Sequence, residues 1–174
     1  MFGRKRRNGG SVKTERDALM PDTFAAAQRG DPFAFLMLFQ WRARPVAAYL
    51  DPIAGEAEQQ RLLERVFVRA WRELPSAGRH DSFDLWLLRL AHREARRDEV
   101  RVSASEPAGR RKHGDEVATA LHRLPERLRE VLSLRYFFGQ TVEQVAASFG
   151  TSADDAARWD RDGLEELATA AGYA

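Results

Sequence analysis

A run of arginines in the middle of the chain is the clearest candidate for binding chemistry. These residues lie mostly three or four positions apart, at Arg89, Arg93, Arg96, Arg97 and Arg101. On an α-helix, this spacing places several guanidinium groups on one face, where they can follow the phosphates of a nucleic acid. The nearby acids Glu94, Asp98 and Glu99 support an alternative, a solvent-exposed helix with intrahelical ion pairs worth about 0.2–0.5 kcal/mol each. Spacing alone favours the ion-paired helix.

The C-terminal third carries a helix-turn-helix pattern over LPERLREVLSLRYFFGQTVEQVAASFGTS. Pro125 stands at a first helical position, and Gly139 ends that helix. Thr141 and Gln144 have the spacing of a capping box and open a short second helix, which Gly150 ends. The predicted buried stripe of the first helix is Leu128, Val131, Leu132 and Tyr136, and the predicted cap of the third helix is Thr151 or Ser152. An ordinary helical hairpin is the alternative that this spacing leaves open.

The third helix of the pattern, which faces DNA in a helix-turn-helix protein, is acidic. From Ser152 to Leu167 it carries two arginines, Arg158 and Arg161, against six acids, Asp154, Asp155, Asp160, Asp162, Glu165 and Glu166. Phosphate binding depends on cations that release counterions, so this face is expected to repel duplex DNA. Acids in a first turn also complement the helix dipole, which explains Asp154 and Asp155 and leaves Arg158 as the residue expected to reach the groove.

The sequence gives little support for an enzymatic function. The four histidines, His80, His92, His113 and His122, lack metal-ligand spacing, and the chain has no cysteine. There is no glycine-rich phosphate loop and no serine nucleophile motif. We therefore expect a protein that is not an enzyme and that uses no metal and no cofactor.

Composition is typical of a folded protein in a reducing compartment. The 174 residues are 44% hydrophobic, with a net charge of +2 and no cysteine. No stretch approaches the roughly 20 apolar residues of a membrane span, and the basic run at residues 4–7 is not followed by the apolar segment of a secretory signal. We expect a cytoplasmic protein without membrane insertion. Residues 1–22 are predicted to form a basic, disordered tail, and a nonspecific phosphate contact is the alternative for it.

Helical periodicity through most of the chain predicts an all-α fold. Asp31 before Pro32 predicts a helix start, and residues 52–55 predict a break. Residues 102–116 are small, polar and charged, which is typical of a flexible linker. Two helical domains are predicted, at residues 23–101 and 117–174.

The helix-turn-helix phrase resembles region 4 of extracytoplasmic-function sigma factors, which begins Leu-Pro-x-x-x-Arg-x-Val-Leu and continues into Glu-x-Ile-Ala and Gly-x-Ser. Residues 35–101 are similar to region 2 of the same family, in the phrases GDPFAFLMLF, EQQRLLERVFVRAW and SFDLWLLRLAHREAR. The two matches occur in the family's order, with a linker between them. Together they are far more specific than either alone.

The resemblance implies a transcription initiation subunit without catalytic chemistry of its own. In that family, region 2 docks on core RNA polymerase and opens and reads the minus-ten promoter element, and region 4 places its last helix in the minus-thirty-five element. The implied partners are core RNA polymerase and promoter DNA, with an anti-sigma factor as a candidate regulator. The implied polymerase-binding residues are Leu62, Leu63, Val66, Phe67, Arg69 and Trp71. The implied DNA-binding residues are Arg79, His80, Arg89, Arg93, Arg96, Arg97, Ser152, Arg158 and Arg161.

Two departures from the family pattern bear on promoter reading. Arg93 and Arg97 replace an Asn and an Asp of region 2, which adds positive charge but removes groups that can read a base edge. Asp160 stands where region 4 has an apolar residue. We therefore expect the third helix to rotate and to bury Trp159 with Ala156, Gly163 and Leu167.

The sequence thus leads to two hypotheses. The first is a sigma factor that binds core RNA polymerase and directs promoter recognition and opening. The second is a sigma-like interaction or regulatory protein that has lost binding to the upstream promoter element but retains binding to the polymerase or to a regulator. The acidic third helix motivates the second hypothesis.

Overall fold

The computed structural model describes residues 9–78, 82–102 and 114–173. Its elements are α1 (Gly9–Gln28), α2 (Pro32–Glu73), a 3-10 turn (Leu74–Ser76), α3 (Phe83–Val102), α4 (Gly114–Arg123), α5 (Glu126–Tyr136), α6 (Val142–Phe149) and α7 (Ala153–Ala170). Every element of these residues is helical, which confirms the predicted all-α fold. The predicted linker lies outside the described residues except at its ends, which belong to α3 and α4.

Helix α1 corrects the predicted disordered tail. Residues 9–22 belong to this helix, whereas residues 1–8 lie outside the described residues. Met20, Phe24 and Ala27 anchor its second half on the core at helical spacing. The rest of the helix is largely polar and has no amphipathic pattern, so tertiary packing and not local periodicity accounts for its order.

The element α2 folds back on itself. A straight helix would separate Phe35 and Trp71 by about 54 Å, yet their ring centroids are 4.9 Å apart. The side chain of Gln59 donates to the carbonyl of Ala47 at 2.8 Å, so the chain reverses between these two residues. The predicted break at residues 52–55 falls inside this reversal. We call residues 32–47 the first arm of α2 and residues 59–73 its second arm.

Capping residues set several helix ends as the sequence predicts. The Asp31 carboxylate accepts from the backbone N–H groups of Phe33 and Ala34 at the start of α2. Thr141 and Gln144 form the complete capping box of α6, and Ser152 caps α7 by accepting from the N–H of Asp155. These local hydrogen bonds fix where the helix-turn-helix elements begin.

The hydrophobic core joins the two predicted domains. Buried residues of α1–α3, which we call the N-terminal unit, include Leu38, Leu50 and Leu87, and they belong to the same cluster as Val131 and Leu134 of α5. A smaller cluster of Leu121, Leu124 and Leu132 lies within α4–α7, the C-terminal unit. The two units pack against each other along α2 with α4 and α3 with α5.

Helix α7 buries the face that the sequence predicts. Ala156 and Gly163 are buried, Trp159 packs edge-on against Phe149 with centroids 5.7 Å apart, and Leu167 contacts the smaller cluster. The displaced Asp160 turns toward Arg135, at 3.4 Å. The helix thus buries Ala156 and Gly163 and partly buries Trp159 and Leu167, but Asp160 is itself only 14% exposed, and the rotation stays a prediction.

The predicted stripe of α5 is wrong at one position. Tyr136 is 57% exposed, whereas Phe138 just beyond the helix is buried. Tyr136 is the last residue of α5, and the chain turns inward after it, so the next aromatic residues occupy the core.

Replacing Gly163 by Leu is expected to lower the free energy of unfolding by about 1–3 kcal/mol, because extra volume in a close contact displaces its neighbours. A Cβ atom at Gly163 already meets the Leu132 Cγ at 3.1 Å. Urea denaturation measures the change. The control is Glu165→Leu on the exposed side of the same helix, which is expected to change stability by less than about 0.5 kcal/mol. Equal unfolding midpoints for both variants would contradict the close seating of α7 on α5.

Candidate nucleic-acid interface

The outer face of α3 carries the exposed arginines. Its inner face is buried through Leu87, Leu90, Ala91 and Ala95, so the remaining positions of the helix point away from the core. Arg93 and Arg97 have side chains that are 54% and 56% exposed, and Arg96 is also exposed. A ligand can therefore reach these arginines from solvent.

Two carboxylates brace these arginines without neutralising them. Glu94 accepts from Arg97 on its own helix and from Arg69 on the second arm of α2, both at 2.8 Å. Glu73 pairs with Arg69 and, at 3.4 Å, with Arg93. The ion-paired alternative is thus partly realised, since three guanidinium groups share two carboxylates. Among these five side chains positive charge exceeds negative charge by one, which favours phosphate binding.

Arg89 does not join the open face in this conformation. Its guanidinium donates to both carboxylate oxygens of Glu130 on α5, at 2.7 and 3.1 Å. The sequence predicted Arg89 as a DNA-binding residue, and this bidentate pair corrects that expectation for the packed chain. The pairing partner comes from 41 positions away, beyond the reach of helical spacing.

A second buried ion pair lies at the same boundary. The guanidinium of Arg42 on α2 donates to both oxygens of Asp84 at the start of α3, one of them at 3.0 Å, and both residues are buried. Gln140, in the turn before α6, donates to the same carboxylate at 2.8 Å. Gln144 of α6 donates to Asp17 of α1 at 3.2 Å. The helix-turn-helix is therefore held by polar contacts to two helices of the N-terminal unit, α1 and α3.

A buried aromatic and imidazole cluster forms a third contact between the units. The hydroxyl of Tyr49 on α2 lies 2.9 Å from His92 Nδ1 on α3 and 3.3 Å from His122 Nδ1 on α4. The two imidazole rings are stacked, with centroids 5.6 Å apart. The cluster joins one helix of the C-terminal unit to two helices of the N-terminal unit.

Burial keeps both histidines neutral. Desolvation, with Arg129 and Arg96 nearby, lowers the pKa of His92 from its ordinary 6.5 to about 4. Desolvation, then His92 and the same arginines, lowers the pKa of His122 to about 3, although a hydrogen bond with the backbone of Tyr49 opposes this shift. A proton on either ring would place a charge beside its stacked neighbour.

The exposed face of α7 is acidic. Ser152 is occupied with capping, and its hydroxyl donates to the Asp155 carboxylate at 2.8 Å. These hydroxyl contacts, first from Ser152 and then from Thr151, lower the pKa of Asp155, which also pairs with Arg158. Arg161 is exposed beside Asp162. This face thus carries two arginines and five acids. The acids are Asp154, Asp155, Asp162, Glu165 and Glu166.

The predicted polymerase-binding residues divide between the core and the surface. Leu62, Val66 and Phe67 are buried and cannot touch a partner in this conformation, because they form the inner face of the second arm. Leu63 is partly buried, Arg69 lies in the ion-pair network, and Trp71 is 40% exposed. The stripe of Leu62, Val66 and Phe67 is the inner face of the second arm, and polymerase binding by this helix stays a prediction.

Other large apolar side chains are exposed on α2. The first arm presents Phe33, Leu36 and Met37, and the second arm presents Val68 beside Trp71. The edge contact between the rings of Phe35 and Trp71 brings the two arms together here. Clustered exposed apolar residues of this kind are typical of a protein-binding surface.

Arg79 and His80 lie outside the described residues. Next to this segment, a groove of about 620 Å³ opens between α1 and the 3-10 turn, lined by residues that include Phe24, Gln28 and Phe83. None of the described residues form a cluster arranged to hold a metal ion. No described helix has the length and apolar character needed to cross a membrane.

Comparison with known families identifies the C-terminal unit. Residues 114–159 match the family model described as Sigma-70, region 4, which here spans α4 to α6 and the first part of α7. Residues 114–159 are therefore similar to sigma-70 region 4. The resemblance of the helix-turn-helix phrase to this region is thereby confirmed, and the alternative of an ordinary hairpin is excluded.

Solved structures extend the likeness beyond region 4. The structure of CnrH in complex with the cytosolic domain of CnrY is 20% identical with a TM-score of 0.56, and the match covers 86% of this chain and 95% of that chain. The sigma factor RpoE, crystallised with the anti-sigma factor NepR from Bartonella quintana, is 17% identical with a TM-score of 0.48, over 78% of this chain and 95% of that one. A chain of the RsbN–BldN complex is 21% identical with a TM-score of 0.41, over 84% and 97%. The likeness to CnrH shows a shared fold over most of the chain, and no curated protein matches the sequence.

The residues that join region 4 to the N-terminal unit were missed from the sequence, although two left a signal. Glu130 interrupts the apolar run of α5, and Asp84 interrupts that of α3. A buried acid is nearly always paired with a cation, so each predicts a distant basic partner. Which arginine serves each acid depends on the packing of the units.

The free energy of unfolding is expected to fall as the pH drops from about 6.5 toward 3. His92 and His122 take up protons near 6.5 when the chain is unfolded, but only near 4 and 3 when it is folded. The unfolded state therefore binds more protons in this window, and stability is complete only above it. Urea denaturation between pH 7.5 and 4.5 measures the slope. A double variant, His92→Gln with His122→Gln, retains His80 and His113 and should have a shallower slope; an unchanged slope would show that the buried pair is not its source.

Proposed function

We propose that the protein is a sigma factor of the extracytoplasmic-function type, which binds core RNA polymerase and directs promoter recognition and opening. The observation that carries the proposal is the region 4 match over residues 114–159, within a chain that has the fold of CnrH. The protein acts through binding and not through catalysis. Its place of action is the cytoplasm, with the polymerase.

The polymerase contact is assigned to the exposed face of α2. Trp71 and Val68 on the second arm, with Leu36 and Met37 on the first, offer apolar area that the chain leaves uncovered. Arg69 lies on the same arm with a partly exposed guanidinium. Aromatic residues and arginines are enriched at the centres of protein interfaces, which supports a polymerase docking surface here.

Contact with the opened promoter is assigned to α3. Arg93, Arg96 and Arg97 form an exposed positive face that can hold a DNA backbone. Arginine side chains at positions 93 and 97 provide charge but no carboxylate or amide acceptor. Affinity for the strand therefore depends mainly on phosphates at these positions.

A promoter-bound chain has to separate its two units. Promoter elements centred about 25 base pairs apart lie about 85 Å apart along duplex DNA. A packed chain of this length measures only about 40 Å across. Simultaneous contact with both elements requires the two units to move apart, and their covalent connection links the two binding events by effective concentration.

A regulator is the further expected partner. CnrH, which shares the fold, was solved with the cytosolic domain of CnrY. The uncovered apolar side chains of α2 offer this chain a comparable opportunity for protein binding. We therefore propose an anti-sigma factor as the regulator that binds these side chains.

A second candidate function is a sigma-like regulatory protein that no longer binds the upstream promoter element. The acidic face of α7 favours it, since Arg158 is engaged by Asp155 and Arg161 stands beside Asp162. A helix with this charge has little attraction for phosphates. The two candidates share the polymerase contact and differ at region 4.

Retention of core RNA polymerase on the immobilised full chain, followed by run-off transcription on genomic fragments, tests the main proposal. Val68→Glu is expected to weaken retention about tenfold, since a charge would lie within a desolvated contact. Val117→Glu makes the same change at another exposed valine, and it should have little effect. Failure of the unmodified protein both to retain polymerase and to support a transcript would overturn the proposal.

The salt dependence of DNA binding separates the two candidates. For the full chain on single-stranded promoter DNA, Arg96→Gln should reduce the slope of log affinity against log salt by about 0.7, and the exposed Arg44→Gln control should not. On a duplex promoter fragment, a sigma factor that uses α7 should lose about 1.8 from the slope when Arg158 and Arg161 are both changed to Gln. No loss in that double variant supports the second candidate.

A further inference from the structure

A cavity of about 340 Å³ lies between α1, the start of α3 and the turn that joins α5 to α6. We propose that it binds a small organic cation with an amidinium or guanidinium head and a flat apolar body. Small-molecule sites in proteins have volumes of about 300–1,000 Å³, so the cavity has room for such a ligand. It shares no lining residue with the surfaces assigned above to polymerase and promoter, and the inference is therefore independent of the proposed function.

Asp17 of α1 supplies the group that holds the cationic head. Its side chain lines the cavity and is 26% exposed. The carboxylate oxygen Oδ2 accepts from the Gln144 amide at 3.2 Å. No described residue donates to the other oxygen, Oδ1, because its nearest cation in the described part of the chain, Arg42, is 3.9 Å away. A carboxylate has about four lone-pair sites, so Asp17 can accept further N–H groups from a ligand.

The other two charges of the described cavity wall are already paired with each other. Arg42 donates to both carboxylate oxygens of Asp84, and Gln140 donates to the same carboxylate at 2.8 Å. The side chains of Arg42 and Asp84 are only 8% and 6% exposed. One arginine and two aspartates give the wall a net charge of −1. An anionic ligand would have to displace Asp84 from Arg42, whereas a cationic ligand can bind Asp17 directly.

Apolar side chains complete the wall and select the body of the ligand. Met20 and Pro21 line the cavity from α1, Phe83 from α3 and Phe138 from the turn. Phe83 and Phe138 belong to the buried core, so their positions are fixed before a ligand enters. Aromatic rings and thioethers pack favourably against a flat ring. A carboxylate accepts two parallel N–H groups in one plane, so a flat amidinium on an aromatic ring satisfies both parts of the wall.

An NMR titration of the full chain with benzamidine tests the site. Benzamidine should shift the backbone amide resonances of Gly139 and Gln140 in a saturable way, with a Kd on the order of 1 mM for a fragment of this size. Benzamide has the same shape without the charge, and it should bind about tenfold more weakly, since charge-assisted hydrogen bonds are roughly twice as strong as neutral ones. Free arginine has a similar head on a flexible stem, and it should also bind more weakly than benzamidine.

Substitutions locate the binding. Asp17→Asn keeps an acceptor for Gln144 but removes the charge, and it should weaken benzamidine binding about tenfold. Asp22→Asn makes the same change at an exposed position of α1 that does not line the cavity, and it should leave the affinity unchanged. Ala147→Phe places a larger side chain at an exposed position of the wall, where it should fill the space and abolish binding without disturbing the core.

Thermal unfolding provides a second readout, because a ligand that binds only the folded chain raises the unfolding midpoint. Benzamidine should raise the midpoint of the unmodified chain and of Asp22→Asn, but not that of Ala147→Phe. Equal affinities for benzamidine and benzamide, or for Asp17→Asn and Asp22→Asn, would overturn the cationic site. Tighter binding of arginine than of benzamidine would overturn the flat body. Saturable shifts confined to residues outside the cavity, or an absence of saturable shifts, would overturn the site as a whole.

Discussion

Glu130 and Asp84 are carboxylates buried where region 4 meets the N-terminal unit. The packing of the chain depends on the arginines that pair with them. Removing one partner of a buried ion pair leaves an uncompensated charge, at a cost of about 3–5 kcal/mol. Arg89 on α3 serves Glu130, and Arg42 on α2 serves Asp84. Because the arginines are fixed on different helices, region 4 can satisfy its acid in only one orientation.

The arginines of α3 differ in the carboxylates that they pair with. Arg89 faces region 4, whereas Arg93 and Arg97 are steadied by Glu73 and Glu94 on the outer face. Partly paired arginines keep a defined geometry. Under the proposed function, such a face would bind a phosphate backbone without first having to order its own side chains, which reduces the entropy lost on binding.

Local rules predicted the parts of the fold whose partners lie a few residues away. The caps at Asp31, Thr141 and Ser152 follow from hydrogen bonds within one turn. The buried side of α7 follows from the spacing of its small and aromatic residues. The order of α1 did not follow, because three spaced core residues hold a helix whose other positions are polar.

At the candidate site, the sequence could not predict which residues pair or pack with partners far away in the chain. The resemblance to region 2 implied Leu62, Val66 and Phe67 at an interface, yet their apolar stripe forms part of the core. The direction in which such a stripe points depends on the chain reversal before it. Similarly, an arginine spaced for phosphate binding on α3 proved to be the partner of Glu130, and only the docking of region 4 distinguishes these roles.

The acidic character of α7 is fixed by packing and not by an accidental orientation. Gly163 lies so close to Leu132 that a Cβ atom added at residue 163 would be 3.1 Å from the Leu132 Cγ. Trp159 lies between Phe149 and the Arg127 guanidinium. Asp160 is turned toward Arg135. Rolling the helix to present more arginine would expose Trp159 and bury Asp162 or Glu166. Any attraction of α7 for DNA has to come from Arg158 and Arg161 against fixed acids, so under the proposed function α3 is expected to carry the larger part of the electrostatic affinity for the promoter.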